Sequence, residues 1–324
     1  MTDTPVRLAQ VGTPDDAVVW RHAAQRLRGG LFTVAVDTKV AAAAEAVGAA
    51  TAVASLEEAL KTHGDEFDAA VICSSHHHNP AVARLAAEAG KHLLVEAPVA
   101  QTLAEAEATI AACHGAGVCF AVGQTLRFYP GNQTILDRIS TRKLGETGLW
   151  RVHRWREKQG AAEPTLLERI YGDVDLAICV FGSQPTEVYA LGCPRADQAA
   201  SYVQLHFGFP AGGMAVLDFS GALPPGPGYD SASLIGSTGA AYADDHHNMH
   251  LLYRGGNPAA LISGQGSGHL LDELQAFVDA IGQQRLPPVG GDDCIAVHQV
   301  IEAVVRSLET GQVFHKQGEC YEPA

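Results

Sequence analysis

Residues 80–98 restrict the chain to few folds. An alanine-rich helix pattern runs from Pro80 to Gly90, and Gly90 suits a helix C-cap. Leu93-Leu94-Val95 then reads as a short strand that ends in Glu96 and is stopped by Pro98. Helix, glycine, short apolar strand and a polar residue at the strand's carboxyl end is the pattern of a parallel α/β sheet. Ligands of such sheets sit outside the carboxyl ends of the strands. Glu96-Ala97-Pro98 is therefore expected at the functional edge.

The preceding residues fit a dinucleotide-binding unit in outline and depart from it in detail. Val6–Val11 reads as a first strand, ended by Gly12. The turn that follows should be glycine-rich, so that backbone N–H groups approach a pyrophosphate at a helix N-terminus. Here it reads Gly12-Thr13-Pro14-Asp15-Asp16-Ala17. Gly12 keeps the tight turn and Ala17 suits the third position. Pro14 brings a ring and no N–H where the second glycine belongs. Asp15 and Asp16 complement a helix dipole themselves and repel a phosphate. A turn capped by its own carboxylates and a working phosphate cradle both remain open. After a helix over 18–28, Leu31–Val36 is a second strand with Asp37 at its tip. Asp37 stands about where an acid meets the ribose hydroxyls, which favours NAD over NADP, with Lys39 nearby weighing the other way. It equally suits a cap on the helix Val40–Val47.

A chain of 324 residues suggests about two domains at roughly 150 residues each. No apolar run reaches the ~20 residues of a membrane span, and the N-terminus shows no signal-peptide pattern. The net charge of -14 argues against nucleic-acid binding. Seven scattered cysteines give neither a disulfide framework nor a zinc pattern, so a reducing cytoplasm is the expected compartment. His76-His77-His78 and Asp244-Asp245-His246-His247 lack metal-ligand spacing, and no metal site is expected.

Residues 88–100, Glu-Ala-Gly-Lys-His-Leu-Leu-Val-Glu-Ala-Pro-Val-Ala, resemble the Glu-Lys-Pro segment of the Gfo/Idh/MocA oxidoreductase family. Leu166–Gly182 resembles the family's helix bearing a carboxylate, a histidine four residues on, and Asp-x-Asp-Leu. Gly123–Pro130 resembles its interdomain hinge. The loop Ser74–Pro80 stands where the family's nicotinamide-side loop lies. The resemblance implies an α/β fold: an N-terminal Rossmann-like, parallel doubly wound domain (1–124) and a C-terminal α/β domain (125–324) with a large open, mostly antiparallel sheet. It implies NAD or NADP, a sugar, polyol or related small molecule, and a homo-oligomer, dimer or tetramer, formed through the second sheet. Gly12, Pro14, Asp37, Ser74, His77, Glu96 and Arg127 fall at cofactor-binding positions.

The same comparison exposes losses. The family's lysine is Ala97 and its histidine is Gly172, while Glu168 holds the carboxylate position and Asp173, Asp175 and Leu176 are kept. Alanine and glycine transfer no proton. Glu168, Tyr171, Asp173, His77 and Tyr129 are the available replacements. Three readings stay open: an NAD(P)-dependent oxidoreductase with an altered catalytic set, a non-catalytic binding or regulatory subunit, and non-redox chemistry on a sugar-like ligand. With Pro14, Asp15 and Asp16 at the turn, dinucleotide binding is expected to be weak or lost. The charges of the strand Leu149–Arg156 read as a solvated face in preference to an anion site.

Overall fold

The computed structural model describes residues 4–13, 20, 22–73, 80–157, 164–192, 202–224, 228–244, 249–253, 259–261 and 268–324. The chain divides into two compact units, residues 1–128 with 266–295, and residues 129–265 with 296–324.

In the first unit, β1 (Val6–Val11), β2 (Gly30–Val36), β3 (Thr51–Val53), β4 (Ala69–Ile72), β5 (His92–Glu96) and β6 (Phe120–Gly123) form one sheet in the order β3-β2-β1-β4-β5-β6. Every pairing is parallel. The order reverses between β1 and β4, the switch point beside which such sheets bind ligands. The strand period of two sorts the side chains into two cores. Ala9, Val34, Ala70, Leu93 and Val95 share one core with Ala59 of the helix Leu56–His63 and Ala83 of the helix Pro80–Glu88. Leu8, Ala35, Val71, Leu94 and Ala121 face the other way.

That second face explains why the unit is not one stretch of chain, as the 1–124 and 125–324 division expects. The helix Gly268–Gly282 returns to it and inserts Leu270, Leu274, Phe277 and Val278. These residues form a single apolar stripe at helical spacing. Gln275 fixes the return by accepting from the Arg28 amide and donating to the Arg28 carbonyl, both at 2.9 Å. The Val122 amide donates to the Val289 carbonyl at 3.1 Å.

The second unit holds a ten-stranded sheet. In chain order its strands are β7 (Thr147–Glu157), β8 (Glu187–Gly192), β9 (Tyr202–Gly208), β10 (Met214–Leu223), β11 (Tyr229–Gly236), β12 (Ala240–Asp244), β13 (Met249–Tyr253), β14 (Ala259–Leu261), β15 (Phe314–Gln317) and β16 (Cys320–Pro323). All neighbours are antiparallel except β7 and β10. The helix Leu166–Phe181 packs on β7 and β10. Trp150, Val152, Leu205, Leu217 and Leu234 are fully buried. Alternate positions elsewhere in the sheet expose Leu191, Tyr202, Met214 and Ile235, each 42–52% accessible. The closing hairpin β15–β16 has no clear sequence signal, because His315, Lys316 and Gln317 break any apolar alternation. Phe314, Tyr321 and the 2.8 Å bond from the Tyr321 hydroxyl to the Pro185 carbonyl anchor it.

Phe277 is 1% exposed within the second core of the first unit. Phe277→Ala is expected to cost about 3–5 kcal/mol, read as a lowered urea midpoint for unfolding. A cost under about 1 kcal/mol would mean that the returning helix is not part of that core.

Candidate functional site

At the carboxyl edge of the first sheet, the Gly12 amide donates to the Val36 carbonyl at 3.2 Å, which ties the end of β1 to β2. Pro14, Asp15, Asp16, Ser74 and His77 lie outside the described residues, as do His76 and His78. Asp37 sits at the tip of β2, and its Oδ1 accepts from the Lys39 amide at 2.6 Å. The bond is an Asx-type turn two residues long at the end of the strand, ahead of the helix Val40–Val47. A carboxylate has two oxygens, so this bond leaves capacity for a ribose hydroxyl. Strand order, Gly12 and Asp37 fit a dinucleotide.

Glu96 ends β5, and its Oε1 accepts from the Trp20 indole N–H at 3.1 Å. A Cβ at Gly123 on the neighbouring strand would lie 3.0 Å from the Glu96 Cα, so the glycine permits the close approach there. Arg127 pairs with Asp293 at 2.8 Å, and the other oxygen of Asp293 accepts from the Gly290 amide at 2.9 Å.

Sequence reasoning missed Glu273. It lies on the apolar stripe of the returning helix and is 3% exposed. The Thr125 hydroxyl donates to its Oε2 at 3.2 Å. Burial, reinforced by the charge of Glu96, pushes its carboxyl up to about 8. The available signal was positional: an acid at the helical spacing of Leu270, Leu274 and Phe277.

In the second unit, the helix Leu166–Phe181 places the remaining predicted residues differently. Glu168 completes a capping box: its Oε2 accepts from the Thr165 amide at 2.7 Å, and its own amide donates to Thr165 Oγ1 at 3.3 Å. Tyr171 is 1% exposed, its ring edge-on to His298 with centroids 5.3 Å apart. Asp173, one helical turn beyond Arg169, accepts from Arg154 Nε at 3.0 Å and Nη2 at 2.8 Å.

Arg154 also corrects the solvated-face reading of its strand. Period two sets Arg154 and Arg156 on the same face as buried Trp150 and Val152. Arg154 is therefore carried onto the helix, with its side chain 19% exposed. Arg154, Arg156, Arg169, Asp173 and Phe219 line a cavity of about 300 Å³. The structure thus brings Asp173 to a cavity wall, uses Glu168 as a cap and packs Tyr171 in the core. Tyr129 is 45% exposed. Among the described residues, no cluster of three metal-ligating side chains occurs and no helix is long and apolar enough to cross a membrane.

Residues 14–124 match the profile described as "Oxidoreductase family, NAD-binding Rossmann fold" of Gfo/Idh/MocA. Over these residues, about a third of its length, the chain is similar to the Gfo/Idh/MocA oxidoreductases. Among relatives, an uncharacterized oxidoreductase, YrbE, of Bacillus subtilis is 25% identical over 77% of this chain and 78% of its own. An oxidoreductase from Agrobacterium radiobacter, solved with NAD+, L-tartaric acid and magnesium, superposes with TM-score 0.85 at 14% identity, covering 96% and 98% of the two chains. Aldose-aldose oxidoreductase from Caulobacter crescentus, complexed with glycerol, gives 0.85 at 21% identity over 96% and 100%. At such identities the two structures establish the fold alone.

Glu273 yields a pH prediction. From its ordinary 4.5 up to about 8, the folded protein holds a proton that the unfolded chain has released. Stability should therefore fall as pH rises through that window, by at most about 1.4 kcal/mol per pH unit from this group. Glu273→Gln, which cannot ionise, is expected to match the parent near about pH 5 and to exceed it near about pH 8 in thermal unfolding. Equal destabilisation at both pH values would refute the assignment.

Proposed function

We propose that the chain is an NAD(P)-linked oxidoreductase whose substrate is a sugar-like, polyhydroxylated small molecule held in the cavity of the second unit. The observation carrying this reading is the cavity itself, where Arg154, Arg156 and Arg169 gather around about 300 Å³ beside Asp173. Pockets of this size hold small molecules. Arg154 is paired with Asp173 and Arg156 with Asp230, so charged hydrogen-bonding groups are held in place around the cavity, as a binding surface for a polar molecule requires. The family likeness and the sugar-related names of relatives, among them 1,5-anhydro-D-fructose reductase of Ensifer adhaerens, point to the same substrate class.

A bound dinucleotide would supply the hydride acceptor or donor. Asp37 would accept from a ribose hydroxyl. Trp20 holds the Glu96 carboxylate at the end of β5, and Arg154 holds both oxygens of Asp173. Proton transfer has no obvious agent among the described residues of the motif helix, because Glu168 caps, Tyr171 is packed and Asp173 is ion-paired. That observation favours a second reading, a non-catalytic ligand-binding member of the family. We also place the oligomer contact on the sheet face that exposes Leu191, Tyr202, Met214 and Ile235. The cytoplasmic assignment agrees with the free thiols of the described cysteines.

Calorimetric titration with NAD, NADH, NADP and NADPH, followed by nicotinamide absorbance with a sugar and polyol panel, separates the two readings. A carboxylate at ~4 Å from a phosphate opposes binding by about 1–4 kcal/mol, depending on the effective dielectric, against ~0.3–1 kcal/mol from the helix dipole. Weak binding is expected, and Pro14→Gly with Asp15→Gly should tighten it about tenfold or more. No binding in either protein and no turnover would leave the non-catalytic reading. Light scattering should return a dimer or tetramer; a 34.0 kDa monomer at micromolar concentration would contradict the assembly.

A further inference from the structure

We propose that the proton of the redox reaction is handled in the first unit, by Glu96 with Glu273 behind it. Glu96 exchanges the proton with the reacting oxygen, and Glu273 acts through Glu96 as its store. The inference rests on the oxidoreductase reading and supplies the proton agent that the motif helix lacks.

Position is the first argument. Glu96 ends β5 at the carboxyl edge of the parallel sheet, the edge at which such sheets hold ligands. Trp20 fixes its Oε1. Gly123 is its register partner on β6, and Thr125, two residues further on, donates to Glu273 Oε2. One stretch of chain, Gly123 to Thr125, thus links the two acids.

The chemistry of Glu273 is the second. It is 3% exposed, and among the described residues its Oε1 has no hydrogen-bond partner. The cavity of about 10 Å³ beside it is lined otherwise by apolar residues, Leu94, Phe128, Phe277 and Val289 among them, which offer a water no second polar partner. Thr125 donates to Oε2, so the proton of the neutral carboxyl stands on Oε1. An unpaired buried polar atom costs stability, and a glutamine would serve Thr125 equally without carrying a proton. Of the charged groups on the elements packed against this helix, Glu96 acts on Glu273. Arg127 is taken up by Asp293, and Arg7 on β1 by Asp68. Two carboxyls whose environments push their proton affinities apart divide into a holder and an exchanger.

In reduction a bound dinucleotide supplies the hydride to a carbonyl carbon, and the C=O electron pair moves to the oxygen. That oxygen takes a proton drawn from Glu273 Oε1 through the Glu96 carboxylate. Glu273 is left ionised and is reprotonated from solvent. Oxidation runs the same transfers backwards.

Two measurements on the full chain test this. In the first, the Trp20 indole N–H resonance, assigned by Trp20→Phe, is followed with pH. It should show a step near about 8 that Glu273→Gln removes and Glu96→Gln lowers. Thr125→Val should raise it, because the Thr125 hydrogen bond favours the ionised form. The second is reduction of a carbonyl sugar panel by NADH or NADPH. The parent rate should fall above about pH 8, and later in Thr125→Val. Glu273→Gln should lower kcat about hundredfold, with KM within about threefold and the alkaline fall gone. Its thermal unfolding near about pH 5, matching the parent, is the check on folding. No Trp20 step, a step indifferent to both glutamates, or a kcat and pH profile unchanged in Glu273→Gln would overturn the inference and leave dinucleotide turnover standing. The coupled titration in a chain that neither binds nor turns over a dinucleotide would sink the oxidoreductase reading and the catalytic role with it.

Discussion

The ion pair between Arg154 and Asp173 is the contact on which the second unit's site depends. It joins the middle of β7 to the middle of the motif helix, with side chains 19% and 4% exposed. Removing one partner of a buried pair costs about 3–5 kcal/mol, whereas replacing both with apolar residues is often neutral or stabilising. The pair is therefore a poor device for stability alone and a good one for placing charge at a cavity wall. The helix carrying it is fixed at both ends, by the Thr165–Glu168 capping box and by Gly182 in the left-handed region at φ 65°. Asp173 thus sits on a rigid element, as a binding site requires.

A different constraint governs the first unit. Its parallel sheet must be covered on both faces, and one cover arrives from residue 268 onwards. That helix also carries Glu273, whose carboxyl is raised first by burial and then by the charge of Glu96. The same helix therefore completes the core and buries an acid within reach of the charge of Glu96.

The parallel sheet was legible because short apolar strands alternated with alanine-rich helices, each ended by glycine. The wide second sheet was legible as alternating runs. The hairpin β15–β16 was not, since its polar residues hide two buried aromatics. The return of residues 266–295 to the first unit was not either, because an amphipathic helix declares that it packs but not on what. Among site residues, Asp173 was found through its motif. Arg154 and Arg156 were seen as charges on a strand, but their common face with Trp150 and Val152 was not used. Glu168 illustrates the limit of motif transfer. The residue occupies the expected position, and the local Thr165-x-x-Glu168 pattern turns it into a cap.

The most direct test of the site is the double substitution Arg154→Met with Asp173→Leu, compared with each single change. If the pair exists to organise the cavity, each single variant loses about 3–5 kcal/mol and the double variant regains most of it, while binding of the sugars and polyols of the panel is lost from the double variant. Undiminished binding of those compounds by a fully stable double variant would contradict the account.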